Sequence, residues 1–560
     1  MFDTVVEDLV SGPGIRGGPG VLESAFLMRY PDLAVVLVYL AGITWFGARF
    51  RHAQRTLKDY FLGGRNAPWW AISLSIVSAE TSTLTIIGTP TLAFAGNLGF
   101  LQVVFGYLLA RIVISSLFLP HYFRGEMYTA YELMGRRFGP RLRKLTAGTF
   151  LVIRALAEGV RVFAISIVIS IVLGTGEIAS IVVILCLTLF YTFEGGMTAV
   201  IWTDVVQMCL YVLGAALSFF VILQHIPGGW ESVLALAVPA GKFQLFDFSL
   251  PAGPEFFTRT YTFWAGLIGG CFLTTASHGT EQLMVQRLLA ARSQAQSRAA
   301  LLASWVVIFL LFSLFLVIGV VLFVFYTQSH LAPPQPLDRL YPAFVWHYLP
   351  PGLAGLVVAA ILAAAMSNLS AALNALASTT IMDFYQPSRV MPQSPGAPGG
   401  ISFSLSRVVV EHGADKLKLI PQGNQRPSET EALPLKRRRG GVADSDARSV
   451  RLARAATVVW GVILFGVGCL ARQWGSVLEA GLSIASIAYG GLLGVFLLGI
   501  LTRRVGEKAA MAGMMAGFAV MIYVKFFTPI AWTWYVVIGT SVTFLAGLLM
   551  SRAWKEAAGG

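Results

Sequence analysis

The chain has 560 residues, of which 56% are hydrophobic and only 12% are charged, and it carries a net charge of +13. Soluble domains hold about 25% charged residues, so this balance excludes an ordinary soluble domain and marks a membrane protein. The excess of basic residues suggests a nucleic-acid partner, but their placement along the chain excludes one.

Residues 1–30 form an extracytoplasmic N-terminal segment. Its opening, MFDTVVEDLVSGPGIRGG, has acidic residues and no apolar core, so it is not a cleavable signal. Apolar runs of bilayer-crossing length then recur to Met550. They predict thirteen helical spans near 31–50, 68–92, 99–120, 146–173, 177–193, 199–224, 260–283, 301–327, 352–381, 454–471, 476–499, 507–525 and 531–550. No series of short alternating strands is present, so an outer-membrane barrel is not expected. The domains read as helices one to nine over 31–385, a basic and largely disordered cytoplasmic loop over 386–450, helices ten to thirteen over 451–551, and a cytoplasmic tail at 552–560.

With the N-terminus outside, about 31 of the 41 Lys and Arg fall in inside segments, including RFRHAQRTLK, RRFGPRLRK, KRRR and TRRVGEK. The outside segments hold only Arg16, Arg29, Lys242, Arg259, Arg339 and Arg472. The orientation is therefore N-terminus out and C-terminus in, in a plasma-type membrane. The basic excess serves topology and anionic lipid. Cys186, Cys209, Cys271 and Cys469 all sit in apolar runs, as packing residues. With almost no extramembrane mass, transport is the leading class, ahead of a membrane enzyme or a solute sensor. No nucleophile–base or metal motif supports an enzyme, and no output domain follows the bundle for a sensor.

Polar residues inside these spans are costly and point to function. In SIVSAETSTLTIIGTP, residues Ser78, Thr81, Ser82, Thr85 and Thr89 share a helix face, while Glu80 points almost the opposite way. Protonation, a cationic partner or a helix break would each make Glu80 tolerable. The β-branched, Gly and Pro content of TSTLTIIGTP favours a break lining a cavity. Asp204, a few residues into its span, either caps a helix start or supplies charge to a cation site. Arg154, Glu158 and Arg161 lie at spacings of four and three and can pair with one another, and Arg161 is a candidate partner for Glu80. His278 sits where a span looks interrupted in SHGTEQ. In LAAAMSNLSAALNALAS, residues Ser367, Ser370, Asn374 and Ser378 share a face among alanines. That face suits either tight helix packing or, with carbonyls from a broken helix, an oxygen cage for a monovalent cation.

The stretches YFLGGRNAPWWAISLSI, GYLLARIVISSLFLPHYFRGEMYTAYELMGRRFG, FEGGMTAVIWTDVVQ, TEQLMVQRLLAAR and LPPGLAGLVVAAILAAAMSNLSAALN, in this order, resemble the sodium/solute symporter family. That family includes sodium-coupled sugar, proline, pantothenate and sialic-acid transporters, and the resemblance covers roughly residues 58–550. It implies an all-α membrane fold with a five-plus-five inverted repeat over 68–224 and 260–499, whose opening helices are both discontinuous. It implies sodium as the coupling ion, no organic cofactor, and symport of a small polar organic solute by alternating access. The implied sodium ligands are carbonyls near Ser78 and Thr81, the carbonyl of Ala364, and Ser367 Oγ. Asp204 stands nearby, and Ser370 matches a hydroxyl used for a second sodium. Where the family has a second Ser or Thr after Ser367, this chain has Asn368, whose amide oxygen can also ligate. Thr85, Thr274, Ser277 and His278 fall at the implied solute pocket, where a sugar is not indicated. Glu80 there suggests a cationic group on the solute or a structural salt bridge. Proton coupling through Glu80, Asp204 or His278 is the alternative on the same fold.

Overall fold

The computed structural model describes residues 30–49, 62–124, 127, 129–173, 176–192, 197–385, 436–472 and 477–559. The segment before Tyr30, most of RFRHAQRTLK, and residues 386–435 with ISFSLSRVVV lie outside the described residues. Among the described residues the named elements are all helical, and one isolated bridge joins Ala67 to Ala291.

The chain opens with α1 (Tyr30–Ala48), α2 (Trp69–Glu80), α3 (Thr83–Ala95), α4 (Leu101–Val113) and the short α5 (Tyr131–Arg137). Helices α6 (Pro140–Leu173), α7 (Glu177–Thr192) and α8 (Met197–Gln224) follow, then α9 (Phe263–Gly279), α10 (Gln282–Leu289) and α11 (Gln294–Gln328). Further along come α12 (Leu340–Tyr348), α13 (Leu353–Thr379), α14 (Lys436–Ala471), α15 (Val477–Leu501), α16 (Glu507–Phe527) and α17 (Tyr535–Gly559), with shorter helical turns between the named elements.

Eight helical stretches among the described residues are each long and apolar enough to cross a bilayer, and α2 with α3, bent by 64°, makes a ninth. Shorter apolar helices at Glu177–Cys186, Ala455–Ala471 and Ala485–Leu501, together with α9, occupy the four other expected stretches. One boundary differs from the sequence reading. The basic KRRR run, assigned to the end of a loop, instead opens α14, so residues 436–450 are helical.

Helix α13 is the centre of the bundle, with nearly every residue buried. Its alanines leave room for α1, α6, α8 and α14 to lie against it, as small residues do where lipid supplies no hydrophobic drive between helices. Around the outside, Leu37, Val38, Val212, Leu213, Leu310, Tyr523 and Phe526 are exposed, as lipid-facing side chains should be. Helices α4 and α9 approach each other backbone to backbone. Gly106 faces the backbone of Gly266 and Leu267, and Gly270 faces the carbonyl of Val103; a Cβ on Gly270 would lie 2.3 Å from that oxygen.

On the side read as external, Lys242 closes the end of α3. Its Nζ donates to the carbonyls of Phe94 (2.6 Å) and Gly96 (3.0 Å) and lies 4.2 Å from the centroid of the Phe323 ring. A cation at a helix C-terminus satisfies carbonyls that have no intrahelical donor. Lys242 itself is buried, which lowers its amine pKa from the ordinary lysine value. Replacing Lys242 with Met should cost about 1.5–3 kcal/mol, the range for hydrogen bonds from a charged group. A thermal-unfolding comparison of the purified proteins checks this; an unchanged midpoint would show that the clasp is ornamental.

Candidate ion and solute site

The break between α2 and α3 falls at Thr81 and Ser82, both in extended conformation. Hydroxyl side chains compete with helical backbone bonds, and β-branched residues lose side-chain freedom in a helix, so TSTLT is a weak point. Gly88 and Pro90, which the sequence reading counted toward the break, lie inside α3. The break leaves two carbonyls without their helical donors. Thr85 N–H donates to Ser82 O (2.9 Å) rather than to Thr81 O, and Ser82 N–H makes no return bond to Ser78 O.

Both carbonyls face α13. Asn368 Nδ2 lies 3.4 Å from Ser78 O, 3.4 Å from Thr81 O and 3.2 Å from Ala364 O. Those are the three carbonyls that the resemblance named, and Asn368 stands on all of them. Ser367 Oγ donates to Asp204 Oδ1, which leaves its lone pairs available to a cation. Carbonyl, hydroxyl and amide oxygens are the donor set of hard cations, so these residues fit sodium. Ser370, buried further along the same helix, makes no hydrogen bond to Asp204 or Asn368.

Asp204 is neither a helix cap nor a free charge for the cage. It sits in the third turn of α8, where its Oδ2 accepts from Ser75 Oγ (2.5 Å) and from Arg287 Nη2 (3.1 Å). Arg287 also donates to Ser75 Oγ and to Leu283 O, so one buried ion pair ties together α2, α8, α10 and α13. A buried charge stripped of its partner is strongly unfavourable, and here the guanidinium supplies that partner.

Glu80 pairs with Arg111, not with Arg161. Arg111 Nη2 donates to Glu80 Oε2 at 2.6 Å, and His278 Nε2 lies 3.4 Å from the same oxygen. Arg161 instead donates to Glu158, which also meets Arg154. This pairing accounts for Glu80 as a structural ion pair and removes the need for a cationic group on the solute. The discontinuity in the second repeat is also placed. Helix α9 ends at Gly279, Glu281 is extended, and α10 resumes at Gln282, two residues past the expected His-Gly. Arg154 (2.9 Å) and the hydroxyl of Tyr489 (2.6 Å) both donate to Glu281, which pins this second break to α6 and α15.

Between the two breaks lies a cavity of about 120 Å³. Glu80, Thr85, Thr274, Ser277 and His278 all line it, so the structure brings the five expected solute residues together. The sequence reading did not assign Tyr107, Arg154, Arg161, Glu281, Phe312 or Tyr489 to this pocket, yet all of them line it. Ser82 and Arg161 also line a much smaller cavity that reaches Asn368, so the two cavities share a wall.

The chain matches the sodium:solute symporter family profile over residues 60–394, more than half its length. The chain belongs to the sodium:solute symporter family. This symporter is 28% identical over 505 residues to the human sodium/iodide cotransporter, covering 88% of this chain and 69% of the relative. It is also 28% identical over 505 residues to human sodium-coupled monocarboxylate transporter 1, covering 88% of this chain and 72% of the relative. A solved sodium-coupled sialic acid symporter, in a substrate-bound outward-open state, superposes with a TM-score of 0.74 at 24% identity, over 93% of this chain and 98% of that one. That likeness supports the shared all-helical fold. The symporter is thus a multi-pass membrane protein of a secondary-transport family.

Proposed function

We propose that this symporter carries a small organic anion inward together with sodium. The observation behind the anion is the charge state of the cavity wall. Its acids are all engaged, Glu80 by Arg111 and Glu281 by Arg154 and Tyr489, while Arg161, which meets Glu158 through Nη1, lines the cavity and keeps a buried Nε that has no partner. A pocket whose acceptors are taken and whose donors remain suits an anion. Named relatives and the structural neighbour handle iodide, monocarboxylates and sialic acid, which supports the same sign of charge. Size narrows the class. An engineered apolar cavity of about 150 Å³ holds benzene, so 120 Å³ fits about five non-hydrogen atoms, the scale of a short monocarboxylate. Proton coupling through Glu80 is disfavoured because the Arg111 guanidinium and the His278 ring already stand on its carboxylate. The basic-inside pattern supports an external N-terminus and a cytoplasmic C-terminus.

The test is uptake into proteoliposomes. Labelled short monocarboxylates should accumulate under an inward sodium gradient and not under a matched potassium gradient, while an organic amine should not. Arg161→Gln should raise the half-saturating solute concentration by about tenfold or more, one charge-assisted contact being worth about 1.5–3 kcal/mol. Equal uptake in potassium, or an unchanged Arg161→Gln, would sink the proposal.

A further inference from the structure

The distances around Asn368 are not those of a settled hydrogen-bonded amide. Good N–H···O bonds run to about 2.9–3.0 Å, and an NH2 group has two hydrogens, so it cannot serve three acceptors well. Here one terminal atom stands 3.2–3.4 Å from three carbonyl oxygens. That spacing has a different meaning. Ligands set at right angles about 2.4 Å from a central hard cation are about 3.4 Å from one another, with the metal–oxygen distance taken from calcium, an ion of similar radius. The end of the Asn368 side chain thus stands from Ser78 O, Thr81 O and Ala364 O at the spacing that one vertex of a coordination shell keeps from its neighbours.

At present a donor stands at that vertex, and the acceptor end faces away. Asn368 is only 1% exposed, and its Oδ1 is buried without a hydrogen-bond partner. An unmade bond on a buried acceptor costs free energy, so this oxygen is matched to something the present arrangement does not give it. The two ends of a primary amide are nearly the same size. A half-turn about the last side-chain bond exchanges them without displacing a neighbour.

We propose that Asn368 is a two-position switch in the ion cage. With Nδ2 turned in, its N–H groups hold the three carbonyls that the broken helix leaves free. With Oδ1 turned in, the amide oxygen completes the shell around sodium, beside Ser367 Oγ. A hydroxyl at this position would offer the ion a ligand but could spread its single proton over only one carbonyl. The amide instead stabilises the ion-free cage, so it lowers sodium affinity relative to a ligand that only accepts. Sodium binding thereby reads out as the turning of one side chain, whose helix also presents Ser367 to Asp204.

The inference rests on the proposed sodium coupling only for the identity of the ion, and its test does not involve solute or uptake. Thermal-unfolding midpoints of the full-length purified protein would be followed against sodium chloride, with choline chloride holding ionic strength and potassium as a control. Wild type should gain stability with sodium and not with potassium. Asn368→Asp, which can accept at both ends and donate at neither, should fall below wild type in choline. It should also reach half-effect at about tenfold lower sodium, because it adds a full charge to the shell. Asn368→Leu, similar in shape and without either function, should lose the sodium response, and Asn368→Ser should keep it should the leucine variant not fold. A wild-type sodium response in Asn368→Leu would remove Asn368 from the shell. An Asn368→Asp midpoint equal to wild type in choline would show that Nδ2 holds nothing. A sodium response in Asn368→Asp but none in wild type would mean that the amide never turns. Each of these three results overturns the switch, and none depends on whether an anion is carried.

Discussion

Replacing Arg111 with Leu should destabilise the protein by about 3–5 kcal/mol, the cost of leaving one member of a buried pair without its partner. Arg111 is fully buried and Glu80 is only 10% exposed, so neither charge has bulk water to fall back on. Arg111 also donates to Tyr107 O and takes a position beside Ser304 Oγ, so the loss reaches α4 and α11 as well as the break. The double variant Glu80→Leu/Arg111→Leu should recover most of the loss, because no lone charge remains. Arg161→Leu should cost less, since Glu158 keeps Arg154 as a partner. The unfolding midpoints of these variants form a double-mutant cycle. A charge exchange decides the pairing independently: Glu80→Arg/Arg111→Glu should restore part of the stability lost in either single variant, and Glu80→Arg/Arg161→Glu should restore none. Rescue by the second exchange and not the first would refute the geometry.

The second large effect is steric. Gly266→Ala combined with Gly270→Ala should destabilise by about 3 kcal/mol or more, because close-packed interiors do not absorb extra methyl groups where backbone faces backbone. A Cβ on Gly266 would meet Gln102 and Val103 at 2.7–2.9 Å, and one on Gly270 would meet the carbonyl carbon of Val103 at 3.1 Å as well as its oxygen. No flexible side chain is there to move aside, so α4 and α9 would have to separate. Gly466→Ala in α14 is the matched control, with nothing within 4 Å of the added atom. It should be neutral or slightly stabilising, as Ala is the better helix former. Monodisperse yield in detergent and the unfolding midpoint report both outcomes. Loss of the same size in the control would mean that any glycine in these helices is sensitive, and that close approach is not the cause.

Much of this architecture was legible before any coordinates. Runs of apolar residues with a fixed required length show helices directly, because a bilayer permits few other solutions. Helices occur in every stretch so marked. The cage was legible for a related reason. Ser78, Thr81 and Ser367 are polar positions in a medium that penalises them, whereas the carbonyl of Ala364 and the departure at Asn368 came from the family resemblance. Partner choice was not legible. Arg161 was a candidate partner for Glu80 because of its depth in its span, yet its Nη1 already pairs locally with Glu158. The true partner, Arg111, lies alone in the apolar run GYLLARIVIS, and an unpaired arginine at that depth was itself the signal. Glu281 and Tyr489 went unassigned because they meet across 208 residues of sequence, a contact that periodicity cannot show. The start of α14 was missed because KRRRGGVADSD has the polarity of a loop, and helix there is carried by continuity with the apolar span behind it.

The pairing of charges along the cavity has an electrical consequence. Glu80, Glu158 and Glu281 stand against Arg111, Arg154 and Arg161, three charges of each sign, and deeper in the bundle Asp204 faces Arg287 and Asp383 faces Arg143. A transmembrane voltage acts on each elementary charge with about 2.3 kcal/mol per 100 mV. When the fixed charges move in matched pairs, those forces oppose, and an empty carrier can change its facing with little net displacement of charge. Current through the turning carrier then counts cargo alone. One sodium carried with one monovalent anion would be electrically silent, whereas two sodium ions with the same anion would carry one positive charge inward per cycle. The ratio of clamp current to labelled-anion uptake would thus give the net charge carried per anion without a correction for the walls.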